Sequence, residues 1–484
     1  MTRDSLENLI KNCTNILRTD DGISGSVHYT EALSWILFLK FLDDQEKEAA
    51  LEAEMEFEEY DYILDEKYRW GSWAKNPDLT GTELIKFVNE ELIPYLAALR
   101  GEKKADRREV ISSIFSEVTN RVNSGYLLKD VLLKIDDIQF NSSDDIHTLS
   151  VLYESLLQKM GDDGGNSGEF YTPRPVVRFI VETIGPEIGQ TIFDPAAGSC
   201  GFLVESNDYL SSKADTAAKV RKLKEETFYG KEKTPLAYLL GLMNMLLHGV
   251  DYPQIEKTNT LNVNIREIDE SDKFDIIMAN PPFGGKEQKI IQQNFPYQTQ
   301  STEVLFLQYI MKSLKFDGKA GVVVPEGVLF QTNNCAYKAV KKELIEKFNL
   351  HSIVSLPNGV FLPYSPVKTS ILFFDKTKTT KDVWFYEIPL IEGKKLTKNN
   401  GISLKHFEHA SKIFKERKET EHSWLVSTEE IFGNDINLSA SQYNPHKNEE
   451  EDLMEPEDYS KEIQILLEDA LSLVSSFDIS GDRK

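Results

Sequence analysis

The stretch Phe274-Asp275-Ile276-Ile277-Met278-Ala279-Asn280-Pro281-Pro282-Phe283 decides the fold of this chain. Its first six residues form a short apolar run that leads directly into a turn, which predicts a buried parallel strand. In open α/β sheets, ligands bind at the carboxyl ends of such strands, and two consecutive prolines fix the direction of the backbone. We therefore expect an α/β fold with a ligand site at residues 280–283.

The chemistry of this turn suits an exocyclic amine on a planar ring. The side-chain oxygen of Asn280 and the backbone carbonyl of Pro281 could accept both amine hydrogens, which would leave the nitrogen lone pair out of conjugation. Pro282 holds the turn rigid, and Phe283 could stack on the ring face. The pattern predicts methylation of an amino group, although an ordinary Asn-Pro turn after a strand would look the same in isolation.

Short apolar runs alternate with helical patterns from residue 169 onward, which predicts βαβ units and a parallel sheet covered on both faces. The predicted strands are Thr191 to Asp194, Thr227 to Gly230, Phe274 to Ala279, Gly321 to Val324, Ile353 to Leu356 and Ser370 to Phe374. Residues 1 to about 150 instead follow helical spacing, as in Leu6, Leu9, Ile10 and Cys13. The glycine-rich run 161–168 separates the two regions.

The composition is that of a soluble globular protein of two or three domains, with 484 residues and 40% hydrophobic content. No run of 18 apolar residues and no signal-peptide pattern is visible, so we expect a cytoplasmic protein without membrane contact. Cys13, Cys200 and Cys335 are far apart, which predicts neither a disulfide framework nor a metal site.

The net charge of −24 argues against a chain that grips a polyanion alone, because nonspecific nucleic-acid affinity comes mainly from Lys and Arg. If the substrate is DNA, a partner should supply much of the binding affinity. Acidic residues concentrate in Asp43 to Asp61 and in Glu449 to Asp458, and a solvated surface explains both runs without any function.

A second candidate ligand segment is Asp194-Pro195-Ala196-Ala197-Gly198-Ser199-Cys200-Gly201-Phe202, which follows the first predicted strand. Its small residues would let the backbone approach a ligand before the next helix begins. The G-x-G-x-x-G dinucleotide fingerprint is absent, because Cys200 takes the place of the second glycine. A tight strand-to-helix turn is the alternative interpretation.

Three further positions extend this pattern. Glu232 ends the second predicted strand, where a carboxylate can accept hydrogen bonds from ribose hydroxyls. Asn259 lies where a third strand should end and could bind a purine edge. The segment Gly168 to Pro175 could hold a carboxylate or an adenosyl group, although a proline-defined helix start would also explain it.

Read in order, these motifs resemble those of amino-group DNA methyltransferases that use S-adenosylmethionine. The match is closest to the modification subunits (HsdM) of type I restriction–modification systems. The resemblance covers most of the chain, because it also includes Ser301 to Leu307, Gly318 to Pro325, Lys368 to Phe374, and Asn437-Leu438-Ser439 followed by Tyr443.

The resemblance implies a Rossmann-like α/β methyltransferase domain that transfers a methyl group from S-adenosylmethionine to N6 of adenine in DNA. Residues 280–283 would be catalytic, and Asn259 and Phe283 would contact an adenine flipped out of double-stranded DNA. Contacts to S-adenosylmethionine are implied for Glu169, Phe170, Tyr171, Thr172, Pro173, Arg174, Asp194, Gly198, Ser199, Cys200 and Glu232. We expect Cys200 to contribute its backbone rather than its thiol.

The resemblance also implies a domain organisation and partners. A helical domain would span residues 1–150, the catalytic domain 151–385, and a carboxyl-terminal region with a helical tail 386–484. Two modification subunits would join one DNA-specificity subunit, and a restriction subunit would be needed for cleavage. Methylation of cytosine N4 or of a protein glutamine, or a noncatalytic role as scaffold or DNA clamp, are the competing hypotheses.

Overall fold

A single nine-stranded sheet organises the computed structural model, which describes residues 3–101, 106–138, 140, 172–362, 365–397 and 400–446. All six predicted strands are present, and β4 has the predicted bounds. The strands are β1 Ile192–Asp194, β2 Phe228–Glu232, β3 Gln254–Lys257, β4 Phe274–Ala279, β5 Leu314–Pro325, β6 Asn349–Ser355, β7 Thr369–Asp375, β8 Asp382–Glu387 and β9 Ser423–Ser427.

The strand order is β3-β2-β1-β4-β5-β7-β6-β8-β9. Strands β1 to β5 pair in parallel, as does β6 with β8, whereas β7 runs antiparallel to both of its neighbours and β9 runs antiparallel to β8. The prediction of a purely parallel sheet is therefore wrong for β7. For β7 to run parallel to β6, the chain would need a crossover connection between them, which is usually a helix. The described residues between β6 and β7 form no helix.

Helices cover the sheet and complete its βαβ units. The helix Arg174–Ile184 packs on β5, and the helix Cys335–Lys347 packs on β6. From residue 172 onward the remaining helices are Gly201–Ser211, Ala217–Glu226, Pro235–Leu247, Lys289–Gln292, Thr302–Ser313, Glu326–Phe330, Leu404–Ile413, Thr428–Gly433 and Ala440–Tyr443. Because Ile276 to Ala279 are all buried, β4 lies in the interior of this layered structure.

The region before the sheet is helical, as the spacing of its apolar residues predicts. Leu6, Ile10 and Cys13 are buried, and Trp35, Phe38 and Phe41 of the longest helix form the centre of the local core. The helices are Arg3–Leu17, Ser26–Met55, Trp70–Trp73, Gly81–Phe87, Ile93–Ala97, Arg107–Phe115 and Gly125–Asp136, with a π-helical turn at Val88–Leu92. This core is continuous with that of the sheet.

Two compact units divide the chain, Met1–Ala440 and Ser441–Lys484. The sheet extends past residue 385, because β8 spans it and β9 follows, while the predicted domain bounds 1–150, 151–385 and 386–484 stay predictions. The glycine-rich run 161–168 and the part of the predicted helical tail beyond residue 446 lie outside the described residues. Within the described ranges, every helix is too short or too polar to cross a membrane.

The contact between the helices Gly81–Phe87 and Gly125–Asp136 leaves no room for a side chain. A Cβ atom on Gly125 would lie 1.8 Å from the carbonyl oxygen of Gly81. We expect Gly125→Ala to lower the free energy of unfolding by about 1–3 kcal/mol, because backbone atoms must move apart.

Gly71→Ala is the matched control, since nothing lies within 4 Å of its Cβ position. It should leave the stability within about 0.5 kcal/mol of the wild type. Urea denaturation followed by circular dichroism measures both variants, and equal midpoints would contradict the packing described here.

Candidate functional site

The ends of four adjacent parallel strands enclose a cavity of about 250 Å³. Loops that follow β1, β2, β3 and β4 form its wall, as expected for the carboxyl edge of a parallel sheet. The lining residues include Pro195, Ala196, Gly198, Glu232, Thr234, Asn259, Thr260, Asn280, Pro282, Gly285 and Phe306. The structure thus brings Gly198, Glu232, Asn259 and the first part of the 280–283 turn to one place.

The loop after β1 takes a left-handed conformation twice. Gly198 has φ +50° and Cys200 has φ +61°, and the helix Gly201–Ser211 begins directly afterwards. Cys200 is completely buried, and burial raises the pKa of its thiol well above the ordinary value. The thiol therefore stays protonated near neutral pH, which favours a role for the backbone at this position.

Glu232 fixes the end of β2 to this loop. One carboxylate oxygen accepts a hydrogen bond from the Gly198 N–H at 2.8 Å, and the other accepts one from the Thr234 N–H at 2.7 Å. The side chain is almost fully buried, and burial raises its pKa even though these N–H groups oppose the shift. Each oxygen keeps a second lone pair that could accept a hydroxyl hydrogen.

Asp194, at the end of β1, is a second buried carboxyl. It accepts a hydrogen bond from the Ala196 N–H at 3.0 Å. Burial raises the pKa of Asp194 to about 8; the Ala196 N–H opposes this shift, and the charge of Glu232 adds to it. Near neutral pH, Asp194 and Glu232 together therefore carry less negative charge than two ionised carboxylates would. The reason is that low-dielectric surroundings disfavour two adjacent anions.

Asn280 has one end of its amide satisfied and the other free. Its Nδ2 donates to Thr172 Oγ1 at 3.0 Å, which fixes the orientation of the amide. Its Oδ1 is buried and has no hydrogen-bond partner within the described residues. A buried acceptor without a partner is costly, and at a strand end beside a cavity it is suited to a ligand N–H.

Phe283 is half-buried and lies edge-on to Phe361, with ring centroids 5.5 Å apart and an interplanar angle of 86°. The turn that follows is held by Glu303, which accepts from the Gly284 N–H and from Ser301 Oγ. Sequence reasoning did not assign roles to Phe361 or Glu303. No local sequence pattern indicates these contacts, because Phe361 follows β6, whereas Phe283 follows β4, and Glu303 lies in the helix Thr302–Ser313.

Several other predicted contacts have different surroundings. Asn259 lines the cavity, but its Oδ1 accepts from the Leu261 N–H, so only its Nδ2 could donate to a ligand. Arg174 pairs with Glu205 at 3.3 Å and does not line the cavity. The Ser199 carbonyl accepts from Asn244 Nδ2 at 2.9 Å. Residues 169–171 lie outside the described residues.

Comparisons with known proteins agree on one family. The family model described as N-6 DNA Methylase matches residues 144–452, and the model described as HsdM N-terminal domain matches residues 6–135. The chain is 40% identical to the type I restriction enzyme EcoEI methylase subunit of Escherichia coli, over 92% of this chain and 91% of that protein. It is 29% identical to the EcoKI methylase subunit of Escherichia coli strain K12, over 80% and 71% of the two chains.

Solved structures support the same assignment. A modification subunit of a candidate type I restriction enzyme from Vibrio vulnificus YJ016 is similar, with a TM-score of 0.85, 41% identity, and coverage of 92% of this chain and 98% of that chain. A chain from a study of complex assembly in the type I R-M system has a TM-score of 0.78 and 44% identity, with 98% of each chain covered.

The raised pKa of Asp194 makes stability depend on pH. Between about pH 4 and about pH 8 the folded state keeps a proton that the unfolded state has released, so stability from this group is lost as pH rises. We expect the free energy of unfolding of the wild type to fall relative to that of Asp194→Asn over this window. Urea denaturation at pH 5 and pH 8 measures the difference, and a constant difference would contradict it.

Proposed function

The chain belongs to the N-6 DNA methylase family, within the methylase subunits of type I restriction enzymes, and on that premise we propose that residues 280–283 hold the target adenine. The expected resemblance, the α/β methyltransferase fold and the adenine-N6 DNA methyltransferase activity are confirmed by the family. The residues that carry the reaction are the proposal. The observation that supports it most directly is the buried Oδ1 of Asn280, which has no hydrogen-bond partner in the part of the chain that the structure describes.

In this mechanism the side-chain oxygen of Asn280 acts as a hydrogen-bond acceptor. Thr172 holds the amide so that Oδ1 accepts one N6 hydrogen, and the Pro281 carbonyl accepts the other. Both contacts grow stronger as positive charge develops on the nitrogen, so they stabilise the transition state more than the ground state. Phe283 stacks on the adenine, and no covalent nucleophile is required. Asn259 Nδ2 donates to the purine edge.

The residues near Glu232 fit S-adenosylmethionine, which membership of a methyltransferase family implies. Glu232 has lone pairs left for ribose hydroxyls, and the positive φ angles of Gly198 and Cys200 bring the backbone close to the cavity. When bound, the cofactor supplies an electrophilic methyl group. Thr172, Pro173, Asp194 and Ser199, together with residues 169–171, complete the proposed binding residues. Arg174 would join them only by leaving its ion pair with Glu205.

Partner subunits follow from the same family and from charge. The protein whose complex assembly was studied belongs to a type I R-M system, and we extend assembly to this chain. A chain of net charge −24 needs cationic partners to hold double-stranded DNA, so we propose a DNA-specificity subunit. From the family resemblance we further propose that it serves two modification subunits and that a restriction subunit carries out cleavage. DNA chemistry of this kind is consistent with the cytoplasm.

Substitution of Asn280 tests the proposed mechanism. Asn280→Ala should lower kcat for adenine methylation by roughly 10²–10³-fold, the usual cost of losing one group that stabilises developing charge. Binding of S-adenosylmethionine, measured by calorimetry, should stay within about twofold because Asn280 does not hold the cofactor in this scheme.

Mass spectrometry of digested substrate DNA provides the readout. N6-methyladenine should appear with the wild-type complex and be nearly absent with the variant, whereas N4-methylcytosine would favour the competing hypothesis. Wild-type levels of N6-methyladenine in a folded Asn280→Ala protein would overturn the assignment.

The packing behind the cofactor loop gives a second prediction. A Cβ atom on Gly241 would lie 2.7 Å from Cys200 Sγ and 2.8 Å from the Gly198 carbonyl oxygen. Gly241→Ala should therefore push the loop toward the cavity and raise the Kd for S-adenosylmethionine by about tenfold or more, as expected for overpacking of 1–3 kcal/mol.

Gly327→Ala is the matched control, because it lies in a helix near the same sheet edge and nothing is within 4 Å of its Cβ position. Calorimetry should give an unchanged Kd for this control. If Gly241→Ala also binds normally, the loop does not form the proposed cofactor site.

A further inference from the structure

The turn at Phe283 continues into a loop, residues 284–301, whose two ends are joined by backbone hydrogen bonds. Lys286 and Ser301 form an antiparallel bridge. The Glu287 N–H donates to the Gln300 carbonyl at 2.9 Å, and the Thr302 N–H donates to the Gly285 carbonyl at 3.2 Å. These bonds hold residues 285–287, where the loop begins, against residues 300–302, where it ends.

Contacts at the base and side of the loop limit its movement. Glu303 accepts from the Gly284 N–H and from Ser301 Oγ, so one buried carboxylate holds both ends. A Cβ atom on Gly285 would lie 2.5 Å from Thr302 Oγ1, which shows how closely the ends pack. Farther along, Asn294 Nδ2 donates to the Leu261 and Asn262 carbonyls, both at 3.1 Å.

One short helix of this loop carries an exposed apolar side chain, Ile290, next to the half-buried Ile291. Ile290 lies in the short helix Lys289–Gln292 and is 71% exposed. Its neighbours Gln288 and Lys289 are exposed as well, and so is Lys286 at the base. Lys286 and Lys289 flank Glu287 and are suited to contact phosphates, and most of the Ile290 side chain is left open to solvent.

We propose that Ile290 is a wedge that enters the DNA stack and fills the space left by the flipped adenine. This inference rests on the proposed function of residues 280–283. Glu287 lines the cavity, and the three residues from there to Ile290 span at most about 11 Å. An Ile at that distance can reach the neighbouring base step while the adenine occupies the cavity.

The energetics explain why an exposed Ile would be useful at this position. Unstacking and unpairing a base costs a few kcal/mol, and proteins that kink or open DNA insert apolar side chains between base steps to offset this cost. A side chain on a braced loop loses little additional entropy when it inserts. Lys286 and Lys289 would at the same time contact the phosphates on either side.

Ile290→Ala in the complete modification complex tests the wedge. The substrate is a duplex with the sequence that sequencing of host DNA shows to be methylated, with 2-aminopurine at the target position for the flipping measurement. The variant should lower kcat/KM by about tenfold and reduce the rise in 2-aminopurine fluorescence, whereas Ile290→Leu should keep both.

A mispaired target adenine distinguishes a wedge from other roles. Because a mismatch already lowers the cost of flipping, Ile290→Ala should recover to within about twofold of the wild type on that duplex. Phe316→Ala is the control, since Phe316 is 72% exposed but lies near the start of β5, at the opposite end of the strand from the site. It should behave as wild type on both duplexes.

Two outcomes would overturn the wedge. Equal kcat/KM and fluorescence for Ile290→Ala and the wild type on the paired duplex would exclude insertion, and a defect that the mismatch does not rescue would place Ile290 in a subunit contact instead. Failure of the wild-type complex to methylate DNA at all would instead reject the proposed function, so the two failures are distinguishable.

Discussion

The parallel alignment of β1, β2, β3 and β4 is the constraint on which the site depends. Ile192 of β1 is in register with Phe228 of β2 and with Ile276 of β4, and β2 and β4 extend only slightly past the end of β1. Parallel strands return through helices and place their following loops at the same edge. The glycine loop, Glu232, Asn259 and Asn280 meet there although they are separated by up to 82 positions in the sequence.

Local patterns in the sequence predict the elements better than they predict the contacts. The bounds of β4 follow from an apolar run that ends at Ala279, and the helical spacing around Leu6 and Ile10 identifies a buried face. The hydrogen bond between Asn280 and Thr172 joins residues 108 positions apart, and nothing local indicates it. The antiparallel β7 was missed for a similar reason, because strand direction depends on the connection rather than on the strand.

The distribution of charge separates two tasks. Burial raises the pKa of Asp194 to about 8, so this carboxyl is largely protonated near neutral pH and adds little negative charge beside Glu232. The chain as a whole has a formal net charge of −24, which opposes binding of a phosphate backbone over long distances. We therefore expect this chain to carry out methyl transfer to adenine and a partner to provide most of the affinity for the duplex.

In the proposed mechanism, the Asn280 oxygen, which has no hydrogen-bond partner among the described residues, would favour a reacting amine over a bound one. Leaving a buried acceptor unpaired costs the folded protein roughly 1–3 kcal/mol, and a neutral amine hydrogen relieves part of this cost. As the nitrogen becomes positive during methyl transfer, the same hydrogen bond becomes charge-assisted and roughly twice as strong. Because Thr172 already fixes the amide, this gain would require little reorganisation, and in the proposed mechanism it would lower the barrier instead of only tightening binding.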